Sequence, residues 1–82
     1  MRLPLIAGNW KMNTTQGEAV QLVKELRQIV ANYSNAEKLV CPPYISLSAV
    51  CSELAGSEIK VGAQNMYCED KGAFTGEISP LM

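Results

Sequence analysis

Two residues able to act together on a ligand stand near the start of the chain, in the run Ala7-Gly8-Asn9-Trp10-Lys11-Met12-Asn13. Asn9 offers a neutral amide and Lys11 a cation. The run follows Leu3-Pro4-Leu5-Ile6, which reads as a short buried strand. Strand side chains alternate between faces, so Asn9 and Lys11 are expected on one side and Trp10 on the other, as a packing residue. The carboxyl ends of parallel strands are where α/β folds hold their ligands. An amide and a lysine at that place suit an anionic small molecule. By composition alone a loop lysine is more often solvated than functional, but a solvated loop needs neither Asn9 on the same face nor an apolar run leading straight into it.

The elements that must position this pair follow from the apolar pattern. Ala19, Leu22, Val23, Leu26, Ile29 or Val30, and Tyr33 recur at helical steps, while Glu18, Gln21, Lys24, Glu25 and Gln28 fill the other face, which predicts a helix within residues 15–33. Thr15 and Glu18 fit a capping box at its start. A second strand is expected at Lys38-Leu39-Val40-Cys41, stopped by Pro42-Pro43. Leu47, Val50, Cys51 and Leu54 trace a shorter helix, with Ser46 as its cap and Gly56 as its left-handed stop. The third strand is expected over residues 58–63. The connections are too long for hairpins and long enough for crossovers, so the sheet should be parallel.

After the third strand the chain reads as irregular from Gln64 to about Ile78, longer than the usual connection of about 2 to 6 residues in such units. Tyr67 and Phe74 in this stretch argue that it docks onto something. Ser79-Pro80 then looks like the start of a third helix, a serine cap with proline at the first helical position.

The opening segment Ala7-Gly8-Asn9-Trp10-Lys11-Met12-Asn13 closely resembles the first strand and loop of the triosephosphate isomerase family. Val61-Gly62-Ala63-Gln64-Asn65 and Gly72-Ala73-Phe74-Thr75-Gly76-Glu77 resemble that family's third strand and the long loop after it, in the family's order and spacing. The resemblance covers essentially all 82 residues, and its agreement over three separate motifs makes it specific. It implies an α/β fold, the N-terminal portion of a (β/α)₈ TIM barrel with parallel strands alternating with helices. Such a barrel takes about 250 residues, so residues 1–82 are expected to be an N-terminal fragment of a single barrel domain: three strands, two helices, the long loop 64–78 and the start of a third helix.

The resemblance further implies an isomerase that interconverts dihydroxyacetone phosphate and glyceraldehyde 3-phosphate by proton transfer through an enediolate, in glycolysis and gluconeogenesis, without a cofactor. Lys11 resembles the family's active-site lysine, which stabilises negative charge on the phosphate and the developing enediolate. Asn9 resembles the amide that donates toward a substrate oxygen. The long loop resembles the family's dimer loop, with Thr75 at its tip and Phe74 as an apolar anchor, and so implies a homodimer formed through residues 64–78. The chain has no histidine, and its glutamates do not match the family's catalytic-base motif, so the 82 residues alone are expected to be inactive. The alternative reading is a non-catalytic oligomerisation or complementation segment of the barrel.

Composition excludes other classes. Seven Lys and Arg are scattered among eight Asp and Glu for a formal charge of −1, without the basic stripe that nucleic acid requires. The opening apolar stretch is too short for a signal peptide or a membrane span, and the expected location is cytoplasmic. Cys41, Cys51 and Cys68 show no C-x-x-C spacing and have no histidine to join them, which argues against zinc. The thiols are expected to be buried or half-buried small apolar residues, with Cys68 in a polar loop the one open to a thiol reagent. A dinucleotide-binding domain is disfavoured because Ala7-Gly8-Asn9-Trp10-Lys11 lacks the G-x-G-x-x-G turn.

Overall fold

A chain whose apolar segments alternate between strand and helix periods has to bury one helical stripe against one sheet face, and the order of elements follows from that need. The computed structural model describes residues 2–82. Its elements are Leu5–Asn9 (β1), Gln16–Val30 (α1), Glu37–Cys41 (β2), Tyr44–Glu53 (α2) and Ile59–Val61 (β3). The sheet has the order β1-β2-β3, and both pairings are parallel. Parallel strands alternating with helices are therefore the observed architecture, as the sequence pattern requires. Among the described residues β1 and β3 each keep one unpaired edge, and the sheet is not closed into a barrel.

Register fixes which side chains share a face. Gly8 pairs with Val40 and Val40 with Val61, while Ala7 pairs with Leu39 and Leu39 with Lys60. The first row lies toward the helices. Val40 and Ile59 join Ala19 and Val23 of α1 with Val50 and Leu54 at α2 in one core, against which Trp10, Leu26, Val30 and Val61 are packed. Each fully buried valine in this set contributes about 1.5 to 3 kcal/mol relative to exposure. The second row, with Leu39, Cys41 and Gly62, forms the opposite face, where Lys60 bonds Glu37 at 2.9 Å.

The boundaries differ from the sequence expectation in ways that have local causes. α1 starts with the expected capping box: Thr15 Oγ1 accepts from the Glu18 N–H and the Glu18 carboxylate accepts from the Thr15 N–H. It stops at Val30, because the Tyr33 N–H donates to the Val30 carbonyl in a turn of three, and Tyr33 lies outside the helix and exposed. Leu22 and Ile29 are also exposed, so the buried stripe is narrower than the apolar pattern. Ser46 is not the cap of α2. The helix begins at Tyr44 after Pro43, whose fixed φ sets the entry, and Ser46 is fully buried with no partner for its hydroxyl among the described residues. Gly56 does take the left-handed conformation, at φ 80°. β2 begins one residue early, at Glu37. β3 is shorter than residues 58–63, although the Gly62 N–H extends the ladder to the Val40 carbonyl at 2.9 Å.

Residues 64–78 are irregular as expected, and Ser79 opens a turn in which its hydroxyl accepts from the Leu81 N–H at 3.0 Å. Cys41 is half-buried, whereas Cys51 as well as Cys68 is exposed. Cys51 was expected to be at least half-buried, but Val50 and Leu54 carry the contacts of α2 and leave Cys51 one step round the helix, facing out.

The capping box carries a pH dependence with a definite sign. The Thr15 backbone N–H, then the Thr15 hydroxyl, stabilise the Glu18 carboxylate and hold it below its ordinary range. A carboxyl whose pKa is lower in the folded state stabilises the fold above its unfolded pKa and loses that contribution as the pH falls through its folded one. Glu18→Gln should therefore be less stable than the parent at neutral pH and equal to it once the carboxyl is protonated. Denaturation midpoints of both proteins across the acid range check this; a difference that does not shrink on acidification would refute the charge-based account.

Candidate functional site

The carboxyl ends of β1, β2 and β3 lie side by side because the register pairs Asn9 with Cys41 and Val40 with Val61. The Trp10 N–H carries the ladder one residue past Asn9, donating to the Cys41 carbonyl at 3.1 Å. There the extended chain stops. Lys11 takes a left-handed φ of 57°, and Thr14 a positive φ of 77°. The strand alternation that would place Asn9 and Lys11 on one face thus does not extend to Lys11. A side-chain hydrogen bond brings them together instead: the Lys11 N–H donates to Asn9 Oδ1 at 2.9 Å.

This bond orients the amide. Asn9 Oδ1 accepts from the backbone, so the Asn9 NH₂ group is left to donate outward, and Asn9 and Lys11 are both solvent-exposed. The described ion pairs are Lys38 with Glu58 and Lys60 with Glu37, so among the described residues no carboxylate neutralises Lys11. An oriented neutral donor and an uncompensated cation at the end of a parallel sheet can stabilise a dianion or an oxyanion, and neither can abstract a proton from carbon at neutral pH. Trp10 lies on the helix side against the core, as the sequence predicts.

Gln64, just beyond β3, was not singled out by its type or spacing. Its Nε2 donates to the Lys11 carbonyl and to the Cys41 carbonyl, both at 2.9 Å. Its sequence signals were membership of the Val61-Gly62-Ala63-Gln64-Asn65 motif and a place two residues after Gly62, at the level where the first two strands also end. Asn13 Nδ2 donates to the Trp10 carbonyl at 2.8 Å and closes the turn that leads into α1.

Beyond Gln64, the long loop is tied to itself. The Tyr67 N–H donates to the Ile78 carbonyl at 2.8 Å and ties the loop's ends, while the rings of Tyr67 and Phe74 meet at 4.6 Å and 49°. Phe74 thus has an aromatic neighbour within the loop, yet it remains about half exposed at 47%, and Thr75 beside it is exposed. Gly72, at φ 153°, lies under the Phe74 ring, where a Cβ would come within 2.7 Å of it. The described structure brings Asn9 and Lys11 together and does not join Phe74 or Thr75 to them.

Comparison with known proteins gives this geometry a context. A family model described as triosephosphate isomerase matches residues 4–82. The chain is 58% identical over all 82 residues to a triosephosphate isomerase of Clostridium botulinum (strain Loch Maree / Type A3), and 56% identical over the same length to one of Dehalococcoides mccartyi. In each case it spans 33% of the relative's length. The crystal structure of triosephosphate isomerase from Bartonella henselae superposes on 92% of this chain and 30% of its own, with a TM-score of 0.82 and 39% identity.

Proposed function

Since the chain belongs to the triosephosphate isomerase family, we propose that it supplies the charge-stabilising part of an aldose-ketose isomerase acting on phosphorylated trioses. The reaction is the interconversion of dihydroxyacetone phosphate and glyceraldehyde 3-phosphate by proton transfer through an enediolate. Lys11 and Asn9 are its substrate-binding and electrostatic residues. The lysine balances charge on the phosphate and on the enediolate, and the oriented Asn9 NH₂ donates to a substrate oxygen. The observation that carries this reading is the Lys11 cation, unpaired among the described residues, beside an amide whose oxygen is already engaged, at the carboxyl ends of parallel strands.

Proton abstraction from carbon needs a base, and polarising the carbonyl needs a donor with tuned acidity; in this enzyme family a glutamate and a neutral histidine do that work. The chain contains no histidine, and Glu18, Glu37 and Glu58 are engaged in the α1 cap and in ion pairs. The 82 residues alone are therefore assigned binding and charge stabilisation without turnover, inside a cytoplasmic homodimer that assembles through residues 64–78. Phe74 and Thr75 are the contact residues of that loop, exposed at its tip and held up by Tyr67. The exposed aromatic supports this reading over a loop folded only on itself.

Replacing Lys11 by Met in a complete barrel that carries this segment should lower turnover at least roughly 10²-fold, the scale for loss of one preorganised electrostatic group, with the far-ultraviolet circular dichroism unchanged. Lys11→Arg should rescue poorly, because a planar fork does not fit a point-charge site. Near-normal kcat in a folded Lys11→Met protein would remove the assignment.

Charged residues at both Phe74 and Thr75 should convert the dimer of that complete barrel into weakly active monomers. Sedimentation velocity at low micromolar concentration decides it; a persisting dimer would make the loop ordinary surface. The 82-residue polypeptide by itself should show no isomerase activity at any concentration, and measurable isomerisation by the purified peptide would overturn the division of labour proposed here.

A further inference from the structure

Lys11 is the one residue of the site whose backbone leaves the strand conformation, and both polar groups of its main chain are held by side-chain amides. Asn9 Oδ1 accepts from its N–H, and Gln64 Nε2 donates to its carbonyl, each at 2.9 Å. We infer that Gln64 is a positioning residue for Lys11, fixing the left-handed turn that aims the lysine at its anionic ligand; this rests on the reading of Lys11 as the charge-stabilising group.

Three observations carry the inference. Gln64 lies 53 residues from Lys11 in sequence, so the contact is a tertiary clamp and not a local turn. The same nitrogen also donates to the Cys41 carbonyl, which spends both hydrogens of the amide and ties the Lys11 turn to the end of β2, the central strand. A lysine at φ 57° is in a sparsely populated conformation that persists where its surroundings over-determine it. Without the clamp the turn can relax toward ordinary φ values, and the ammonium at the far end of a four-carbon stem moves with it.

A side chain acting through another leaves a thermodynamic signature that a merely structural one does not. In a double-mutant cycle on a complete barrel carrying this segment, Gln64→Leu should lower kcat by about tenfold to 10²-fold, the scale for displacing a catalytic group by up to an ångström. In a Lys11→Met background the same change should have no further effect on kcat, because the group it positions is already gone. Gln64→Met, which keeps length and removes both donors, repeats the cycle should the leucine protein fail to fold, and melting temperatures confirm the folded state of each protein. A folded Gln64 variant with normal kcat, or an equal loss of kcat in both backgrounds, would overturn the inference while leaving Lys11 as assigned. A folded Lys11→Met protein with normal kcat would instead overturn the assignment of Lys11 itself, and the inference with it.

Discussion

The carbonyl oxygen of Cys41 is the point on which the site's geometry depends. It accepts from the Trp10 N–H at 3.1 Å and from Gln64 Nε2 at 2.9 Å, so its two lone pairs join the extensions of all three strands. The parallel sheet brings this about, because its strands finish at nearly one level. Pro42 and Pro43 make it possible from the β2 side. Having no N–H, they end the central strand abruptly after Cys41. Moving the register of β1 on β2 by one residue would turn Asn9 to the helix side and bring Trp10 into its place.

The two faces of the sheet are built for different neighbours. Toward the helices lie Val40, Ile59 and Val61, covered by α1 and α2. The other face has Leu5 and Glu37 near the amino ends, Ala7, Leu39 and Lys60 on the middle level with the Lys60 side chain reaching back to Glu37, and Cys41 and Gly62 near the carboxyl ends. Gly62 is close under its neighbours: a Cβ there would lie 3.4 Å from Cys41 Sγ and 3.5 Å from a Leu39 methyl. Parallel sheets bury both faces, and levels of side chains that end in the small residues Cys41 and Gly62 suit the layered interior of a closed barrel, at the end that carries Asn9 and Lys11.

The fold was legible because period and punctuation agree. The Thr15–Glu18 capping box and the proline pair after Cys41 mark a helix start and a strand end, and the structure places both there. Ser46 misled because a serine before an apolar run is a cap only if the helix has not already begun, and the proline pair starts α2 at Tyr44. The stripe of α1 misled at Leu22, Ile29 and Tyr33, since periodicity shows which residues share a face but not how far a neighbouring surface reaches across it. For the candidate site, type and family resemblance point to Asn9 and Lys11, while the expected mechanism of their proximity, strand alternation, gives way to a side-chain cap on a left-handed turn. Gln64 lay within a family motif, but its bonding was illegible because its two acceptors are backbone carbonyls, which leave no trace in residue identities.

The turn between β1 and α1 explains why a non-glycine backbone is strained here twice. Only residues 10–15 separate the last residue of β1 from the first of α1. Within this span the chain must reverse direction to bring α1 back over the sheet, and Trp10 is still held in the ladder while Thr15 is committed to the cap. Residues 11–14 are left to make the turn, and Lys11 and Thr14 do so at positive φ, costing about 1 to 3 kcal/mol each. Glycine would relieve the conformational cost at both positions, but at Lys11 it would remove the cation. Fixed partners offset the strain instead: Asn9 and Gln64 at Lys11, and Asn13 on the Trp10 carbonyl. The bonds that make the left-handed lysine tolerable are thus the same ones that fix its place, so the turn that starts the first helix also sets where the charge of the site stands.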